Sequence, residues 1–149
     1  MGAEKTCEIP SSNPPGEQIR QILLSSKVIA IVGASDKPGR PSHRVAAYLK
    51  LKGYRIIPVN PNVKEVLGEK AYPDLRSIPE KVDIVDIFRR VEDVPGIVDD
   101  AISIGAPVVW MQEGIVHNES AKKATSRGIT VVMGKCIMKE HRSLFSEGA

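Results

Sequence analysis

Short apolar runs alternate with amphipathic stretches along most of the chain. Five runs rich in Val and Ile have the length and composition of strands: residues 28–32, 54–59, 82–88, 107–111 and 129–133. The first fits a strand buried on both faces, whereas Asp83 and Asp86 interrupt the third, which we expect to be less uniformly buried. Apolar residues recur at helical spacing in the stretches between and around them: residues 16–26, 43–52, 92–104, 118–127 and 138–145. Helix-length spacers between strands require parallel pairing with right-handed crossovers. We therefore predict an α/β fold, a single Rossmann-like doubly wound, mainly parallel sheet of five to six strands with helices on both faces.

The segment between the second and third apolar runs has a different pattern. It is mostly polar, and it predicts a very short edge strand at residues 71–73 and one helical turn at residues 74–79. At the N-terminus, residues 1–15 contain three prolines among polar residues, which is typical of a flexible arm. We expect residues 16–149 to form one domain, since a chain of 149 residues is long enough for a single core.

Composition and charge exclude several classes of function. The chain has 21 Lys+Arg against 18 Asp+Glu and no basic run with interleaved aromatics, so no nucleic-acid partner is expected. No apolar run approaches the ~20 residues of a membrane span, and no signal peptide is evident, so we expect no membrane association and a cytoplasmic protein. Cys7 and Cys136 lie far apart and belong to no metal-binding spacing, so we expect reduced thiols and no metal site.

The first strand leads into the stretch with the clearest chemical signal. It ends at Gly33, and a cluster of small and turn residues separates it from the next helix. A buried strand, a glycine turn and a helix N-terminus are the parts of a phosphate-binding loop. Gly33 and Ala34 would let a ligand approach the backbone, Ser35 and the amides near Ser42 would donate hydrogen bonds, and Arg40 would add a fork of donors. The alternative is a tight strand-to-helix turn that binds nothing.

Two common nucleotide-binding motifs are absent from this stretch. Residues 33–42 read GASDKPGRPS, which contains neither the Gly-Lys-Ser/Thr of a Walker A loop nor the G-x-G-x-x-G fingerprint. The second strand ends in Val59-Asn60-Pro61, whereas NAD binding favours an acidic residue there. NAD is therefore disfavoured. Lys64, together with Arg40, is a candidate to face a phosphorylated ribose, which both NADP and coenzyme A carry.

In a doubly wound sheet, ligands bind beyond the carboxyl ends of the strands. Five such ends are expected on one edge: residues 33–35, 60–61, 88–89, 112–114 and 134–136.

Four of the sequence stretches carry a resemblance to a known family. VGASDKPGRPSHRV, IIPVNPN, VDIVDIFR and WMQEGI occur here in order, and together they resemble the CoA-binding domain family of small stand-alone proteins. That family is similar to the nucleotide-binding N-terminal domain of the succinyl-CoA synthetase α subunit. The resemblance covers roughly residues 25–136 and implies coenzyme A (CoA) as the bound cofactor.

The resemblance also implies which residues contact each part of CoA. The pyrophosphate would be held by Gly33, Ala34, Ser35, Arg40, Pro41 and Ser42. The adenine and ribose would be lined by Val59, Asn60 and Pro61, with Lys64 a candidate for the 3′-phosphate. The pantetheine arm would be flanked by Phe88, Arg89, Gln112, Glu113 and Gly114. The synthetase has a second domain with a phosphorylated histidine, and this sequence ends where that domain would begin, so we do not expect the ligase reaction from this chain alone.

Three hypotheses about function follow. The first is a protein that binds CoA or an acyl-CoA without evident catalysis of its own. The second is an NADP-dependent reductase, and the third is an accessory subunit that completes an acyl-CoA ligase in trans. The three histidines, His43, His117 and His141, form no catalytic spacing, so no catalytic residue is assigned. Cys136 either faces the CoA thiol, where a mixed disulfide can form, or is a small residue in a turn. A homodimer or a partner subunit is a further expectation.

Overall fold

A parallel β-sheet forms the centre of the structure. The computed structural model describes residues 8–145, and its strands are β1 (Val28–Val32), β2 (Arg55–Val59), β3 (Glu65–Val66), β4 (Glu69–Lys70), β5 (Ile84–Ile87), β6 (Val108–Met111) and β7 (Thr130–Val132). Five of them pair in the order β2-β1-β5-β6-β7, and every pair is parallel. The remaining two, β3 and β4, form a small antiparallel hairpin. The predicted Rossmann-like sheet is confirmed.

Helices cover both faces of this sheet. They are α1 (Gly16–Ser25), α2 (Pro41–Leu51), α3 (Val94–Ile104), α4 (Asn118–Ser126) and α5 (Ile137–Phe145). The apolar faces of α3 and α4 pack in one hydrophobic cluster, and those of α1, α2 and α5 pack in the other. No helix between residues 8 and 145 is long and apolar enough to cross a membrane.

The side chains of β1 show why its sequence is apolar throughout. Ile29 and Ile31 point toward α1, α2 and α5, whereas Ala30 and Val32 point toward α3 and α4. Successive residues of a strand face opposite sides, so a strand covered on both faces needs apolar residues at every position. Full burial of each isoleucine contributes roughly 2–3 kcal/mol to the free energy of unfolding. The side chains of β1 therefore contribute to both hydrophobic clusters.

Some predicted elements have different bounds or a different form. Helix α2 begins at Pro41, two residues earlier than predicted, because proline lacks the N–H that the first helical turn leaves unpaired. The predicted edge strand at residues 71–73 is only a bridge between Tyr72 and Val59. The β3–β4 hairpin was not predicted, since two-residue strands leave too short a pattern. The predicted turn at residues 74–79 is confirmed as a 3-10 turn, Leu75–Ser77.

The segment before α1 makes specific contacts with the last strand. The side chain of Asn13 accepts a hydrogen bond from the Met133 amide (2.7 Å) and donates one to the Met133 carbonyl (2.9 Å). The Ser11 amide donates to Asn118 Oδ1 at 2.7 Å. Residues 8–15 of the predicted arm therefore lie against the end of β7 and the start of α4. Residues 1–7, which include Cys7, lie outside the described residues.

Candidate functional site

The strand order creates a switch point next to β1. The chain leaves β1 for its neighbour β2 on one side and later returns to β5 on the other side. The connections on the two sides of β1 therefore diverge, which opens a crevice beyond the carboxyl ends of β1 and β5. Two cavities lie at this crevice, and both contain Gly33 and Arg89 in their walls.

Gly33 forms the turn at the end of β1. Its φ of +89° is in the left-handed region that favours glycine, and a β-carbon there would collide with the Phe88 carbonyl oxygen. Its amide donates to the Val59 carbonyl at 2.8 Å, and the Phe88 amide donates to the Val32 carbonyl at 2.8 Å. A glycine at this position thus allows the ends of β1, β2 and β5 to meet.

Hydrogen bonds hold the loop between Gly33 and α2 in one shape. The Ser42 hydroxyl accepts from the Ser35 amide at 3.0 Å, and the Ser35 hydroxyl accepts from the Lys37 amide at 3.0 Å. Arg44 Nη1 donates to the Gly39 carbonyl at 3.2 Å. Ser42 is buried, and the hydrogen bond to its hydroxyl links the loop to the start of α2. These three hydrogen bonds tie the loop to itself and to the first turn of α2.

The first cavity lies between the ends of β1 and β2 and helix α3. Its volume is about 290 Å³, and its walls include Val59, Asn60 and Pro61, as well as the carboxylates of Asp74, Asp93 and Asp100. Asn60 also has a structural role, because its side-chain amide donates to the Ala34 carbonyl at 2.8 Å. The three residues predicted for the adenine and ribose thus line one cavity.

The second cavity lies between the N-terminal ends of α2 and α5. Its volume is about 600 Å³, and among the predicted residues it is lined by Gly33, Ser35, Arg40, Pro41, Ser42, Phe88, Arg89, Gln112 and Glu113. Five cationic side chains line it: Arg40, Arg44, Arg89, Arg90 and Lys139. Its one carboxylate, Glu113, pairs with Lys139 at 3.1 Å. This excess of positive charge, with the N-terminus of α2 in the wall, suits an anion such as a pyrophosphate.

Three predicted residues are placed differently. Ala34 is fully buried and contributes its carbonyl to Asn60 rather than a surface to either cavity. Gly114, with φ of +83°, forms the turn after β6 and lines neither cavity. Lys64 is exposed beside the β3–β4 hairpin and also lines neither cavity. A role for Lys64 at a 3′-phosphate stays a prediction.

Gln112 is buried and makes a structural hydrogen bond. Its Oε1 accepts from the Ile137 amide at 3.1 Å, which ties the first turn of α5 to the end of β6. Trp110 supports the same connection, because its Nε1 donates to the Lys135 carbonyl at 2.8 Å. These two bonds place Cys136 and Met138 in the wall of the second cavity. Whether Cys136 reacts with a thiol ligand stays a prediction.

Asp86 is a buried residue of β5, two positions before Phe88 in the wall of the second cavity. It is 0% exposed, neither carboxyl oxygen has a hydrogen-bond partner, and it pairs in register with Ile31 and Trp110. Burial away from water raises the pKa of Asp86 well above its ordinary value. Its side chain faces α1, α2 and α5, as does that of Phe88 two residues later in the cavity wall. The Asp86 carboxyl therefore lies on the side of the sheet that carries the second cavity, and its burial favours the protonated form.

The three histidines have separate environments. His117 accepts a hydrogen bond from the Ser120 amide at 3.1 Å and so caps α4. His141 Nδ1 lies 2.8 Å from the Tyr48 hydroxyl, which joins α5 to α2. His43 lies in the first turn of α2. Within residues 8–145, no group of three His, Cys, Asp or Glu side chains is arranged to hold a metal ion.

Sequence reasoning missed several residues of the site. Arg44, Arg90 and Lys139 complete the positive charge of the second cavity, and three aspartates line the first. Arg90 directly follows the predicted Arg89, so the sequence already indicated a second positive charge at the end of β5. Lys139 lies about a hundred positions after Arg40 in the chain, so no local sequence pattern placed the two residues in one cavity.

The fold and the site define an open parallel α/β domain with a cationic crevice at its switch point. The family model described as a CoA binding domain matches residues 27–142, and the chain belongs to this family. The resemblance seen in the sequence is thereby confirmed.

Relatives include both stand-alone proteins and a ligase. The uncharacterized protein YneT of Bacillus subtilis (strain 168) is 44% identical over 129 residues, which cover 87% of this chain and 96% of YneT. A solved structure of a hypothetical protein from Pyrococcus horikoshii OT3 has a TM-score of 0.88 and 42% identity, with 93% of this chain and 98% of that chain covered. The ADP-forming acetate–CoA ligase II of Archaeoglobus fulgidus is 34% identical over 85 residues, which cover 56% of this chain but only 13% of the ligase.

Proposed function

We propose that this protein binds coenzyme A or an acyl-CoA at the carboxyl ends of its parallel strands, without evident catalysis of its own. The observation that carries the proposal is the cationic second cavity, which shares Gly33 and Arg89 with the cavity lined by Val59, Asn60 and Pro61. CoA combines phosphates, a nucleoside and a long, mostly uncharged arm, so it needs adjoining subsites of different chemistry. Membership of the CoA-binding domain family supports the choice of CoA among phosphorylated ligands.

The chemistry of each cavity matches one part of such a ligand. The five cations of the second cavity would neutralise the phosphates through charge-assisted hydrogen bonds. The first cavity offers apolar contact from Val59 and Pro61 together with the carboxylates of Asp74 and Asp100, which would accept from hydroxyl or amino groups. Phe88, Cys136 and Met138 add apolar surface along the second cavity, which suits the pantetheine arm.

Calorimetric titration with CoA, acetyl-CoA, NADP and NAD tests this proposal. We expect binding of CoA or acetyl-CoA and much weaker binding of the two dinucleotides. Binding of NADP without binding of CoA would support the reductase alternative instead. Identification by mass of any ligand that survives purification provides an independent answer, and a retained ligand without a CoA moiety would contradict the proposal.

A second candidate function is that of an accessory subunit of an acyl-CoA ligase. The similarity to a segment that makes up only 13% of an acetate–CoA ligase favours it, because the rest of such an enzyme would have to come from another chain. Co-purification with a larger ATP-grasp-like subunit, and acyl-CoA formation by the mixture, would support this candidate. If the mixture shows no ligase activity while the isolated chain binds CoA, the first proposal stands and this second candidate is contradicted.

A further inference from the structure

Asp93 contacts both arginines that follow β5. Its Oδ2 lies 3.2 Å from Nε and 3.0 Å from Nη2 of Arg89, and 3.7 Å from Nε of Arg90. The turn that brings these residues together is closed by a hydrogen bond from the Asp93 amide to the Arg90 carbonyl, at 2.9 Å. One carboxylate oxygen thus serves two guanidinium groups at the mouth of the crevice.

The backbone conformation at Asp93 leaves its side chain available for these contacts. Asp93 immediately precedes α3 and occupies the N-cap position, where an aspartate usually accepts a hydrogen bond from an amide of the first turn. Its side chain makes no such bond here. The 3-10 turn Val91–Asp93 runs directly into α3, and the backbone of Asp93 is right-handed helical (φ −87°, ψ −11°) rather than extended, so its side chain is not placed to cap α3 and contacts the arginines. The negative charge still benefits from the positive end of the α3 dipole.

Arg89 is the cationic residue that borders both cavities. Its side chain crosses the glycine turn, since a β-carbon on Gly33 would lie 3.0 Å from Arg89 Cδ. Asp93 occupies Nε and Nη2, and within the described residues no hydrogen bond uses Nη1 of Arg89. An arginine side chain that is free to rotate loses up to ~2 kcal/mol of conformational entropy when it is immobilised. The ion pair therefore restricts the Arg89 side chain and leaves its Nη1 available where the two cavities share a wall.

We propose that Asp93 is a positioning residue of the CoA site, acting through Arg89 and, at the longer distance, through Arg90. It holds the guanidinium of Arg89 so that its remaining donors face the phosphates of the ligand. This inference rests on the proposed function, because it assumes that the phosphates bind in the cationic cavity. It assigns Asp93 no contact with the ligand itself.

If Asp93 acted only through its charge, removing it would change the affinity for CoA in the opposite direction. A carboxylate beside an anion-binding site repels the ligand, so neutralising it should strengthen CoA binding if Asp93 has no positioning role. Loss of positioning should weaken CoA binding, because the arginines must then be ordered at the expense of binding energy. The sign of the change in affinity therefore separates the two possibilities.

The experiment compares Asp93→Asn with Glu92→Gln by calorimetric titration with CoA. Glu92 is exposed and lies in the same 3-10 turn, Val91–Asp93, so the control removes the same charge one residue away. We expect Asp93→Asn to weaken CoA binding about tenfold, the scale of one charge-assisted hydrogen bond, and Glu92→Gln to leave affinity unchanged or slightly stronger. Asp93→Glu should recover part of the loss, and thermal unfolding of each variant checks that it remains folded.

A double-mutant cycle makes the test specific to the arginine. In an Arg89→Ala background, Asp93→Asn should reduce CoA affinity much less than it does in the wild-type chain. Equal or stronger CoA binding by Asp93→Asn, or the same loss in both backgrounds, would overturn the positioning role. If the wild-type chain binds NADP and not CoA, the proposed function fails, and the same variants titrated with NADP decide the role of Asp93 separately. A wild-type chain that binds neither ligand overturns both proposals.

Discussion

Gly33 and Phe88 approach so closely that a side chain on Gly33 has no space. Gly33 lies at the end of β1 with φ of +89°, and the Phe88 carbonyl occupies the place of its missing β-carbon. The two residues belong to neighbouring strands whose carboxyl ends frame the crevice. The width of the site at the switch point therefore depends on a glycine in the first strand turn.

Replacement of this glycine should be more costly than replacement of a glycine in open space. Gly33→Ala pays ~1–2 kcal/mol for the left-handed backbone and an additional cost for the collision with the Phe88 backbone. Gly105→Ala is the matched control, because Gly105 has φ of +74° but nothing within 4 Å of its would-be β-carbon. Urea unfolding should show a clearly larger loss for Gly33→Ala. Equal losses would mean that the contact with Phe88 relaxes at no cost.

Arg40 is expected to contribute directly to ligand affinity. It lies next to the start of α2 and lines the cationic cavity. Arg40→Ala should reduce CoA affinity by roughly 1–3 kcal/mol, the value of a charge-assisted hydrogen bond. Arg127→Ala serves as the control, because Arg127 is exposed at the end of α4 and lines neither cavity. Calorimetry with CoA measures both, and unchanged affinity in Arg40→Ala would remove Arg40 from the site.

Asp86 should make the protein less stable as the pH rises. Burial raises the pKa of Asp86 in the folded chain above its value in the unfolded chain, so the folded chain binds more protons. The free energy of unfolding therefore decreases as the pH rises from the unfolded pKa, about 4, toward the folded one. Asp86→Asn removes this contribution. Urea unfolding at several pH values should give a curve for Asp86→Asn that falls less steeply than that of the wild type, whereas parallel curves would refute the prediction.

His141 should have the opposite effect on the acidic side. Burial, and secondarily the charge of Lys52, lower the pKa of His141, and its neutral ring lies against the Tyr48 hydroxyl. The unfolded chain then binds the proton more readily, so stability is lost as the pH falls through the ordinary histidine pKa of about 6.5. In Lys52→Met, the pKa of His141 should move upward toward that value. NMR titration of the imidazole measures this, and an unchanged pKa would leave burial as the sole cause.

Much of the fold was predictable because its signals are local. The run 28–32 is apolar at every position, which is the pattern of a strand covered on both faces. The spacing of apolar residues in α3 and the left-handed glycine after it define a helix and its end without long-range information. The β3–β4 hairpin was not predictable in this way, since a two-residue strand contains a single period of the strand pattern. The helix predicted over residues 92–104 covered part of the 3-10 turn Val91–Asp93, which the sequence did not distinguish from α3.

The site was only partly predictable. Arg40, Ser42 and Arg89 were correctly expected at one edge of the sheet, because the carboxyl ends of parallel strands share an edge. Lys64 follows the same logic but lies beside the hairpin and lines neither cavity. Gln112 also lies at the expected edge, yet its side-chain oxygen is bonded to the Ile137 amide.

The sequence by itself determined the order of strands and helices, the glycine turn after β1 and the edge of the sheet where a ligand can bind. These depend on backbone conformation and on burial, which neighbouring residues encode. Only the tertiary structure decided that Asp93 contacts both Arg89 and Arg90, and that Lys139 joins the cations of the second cavity. Such pairings depend on which hydrogen-bond partners compete in space, and that competition exists only once the strands and helices are packed.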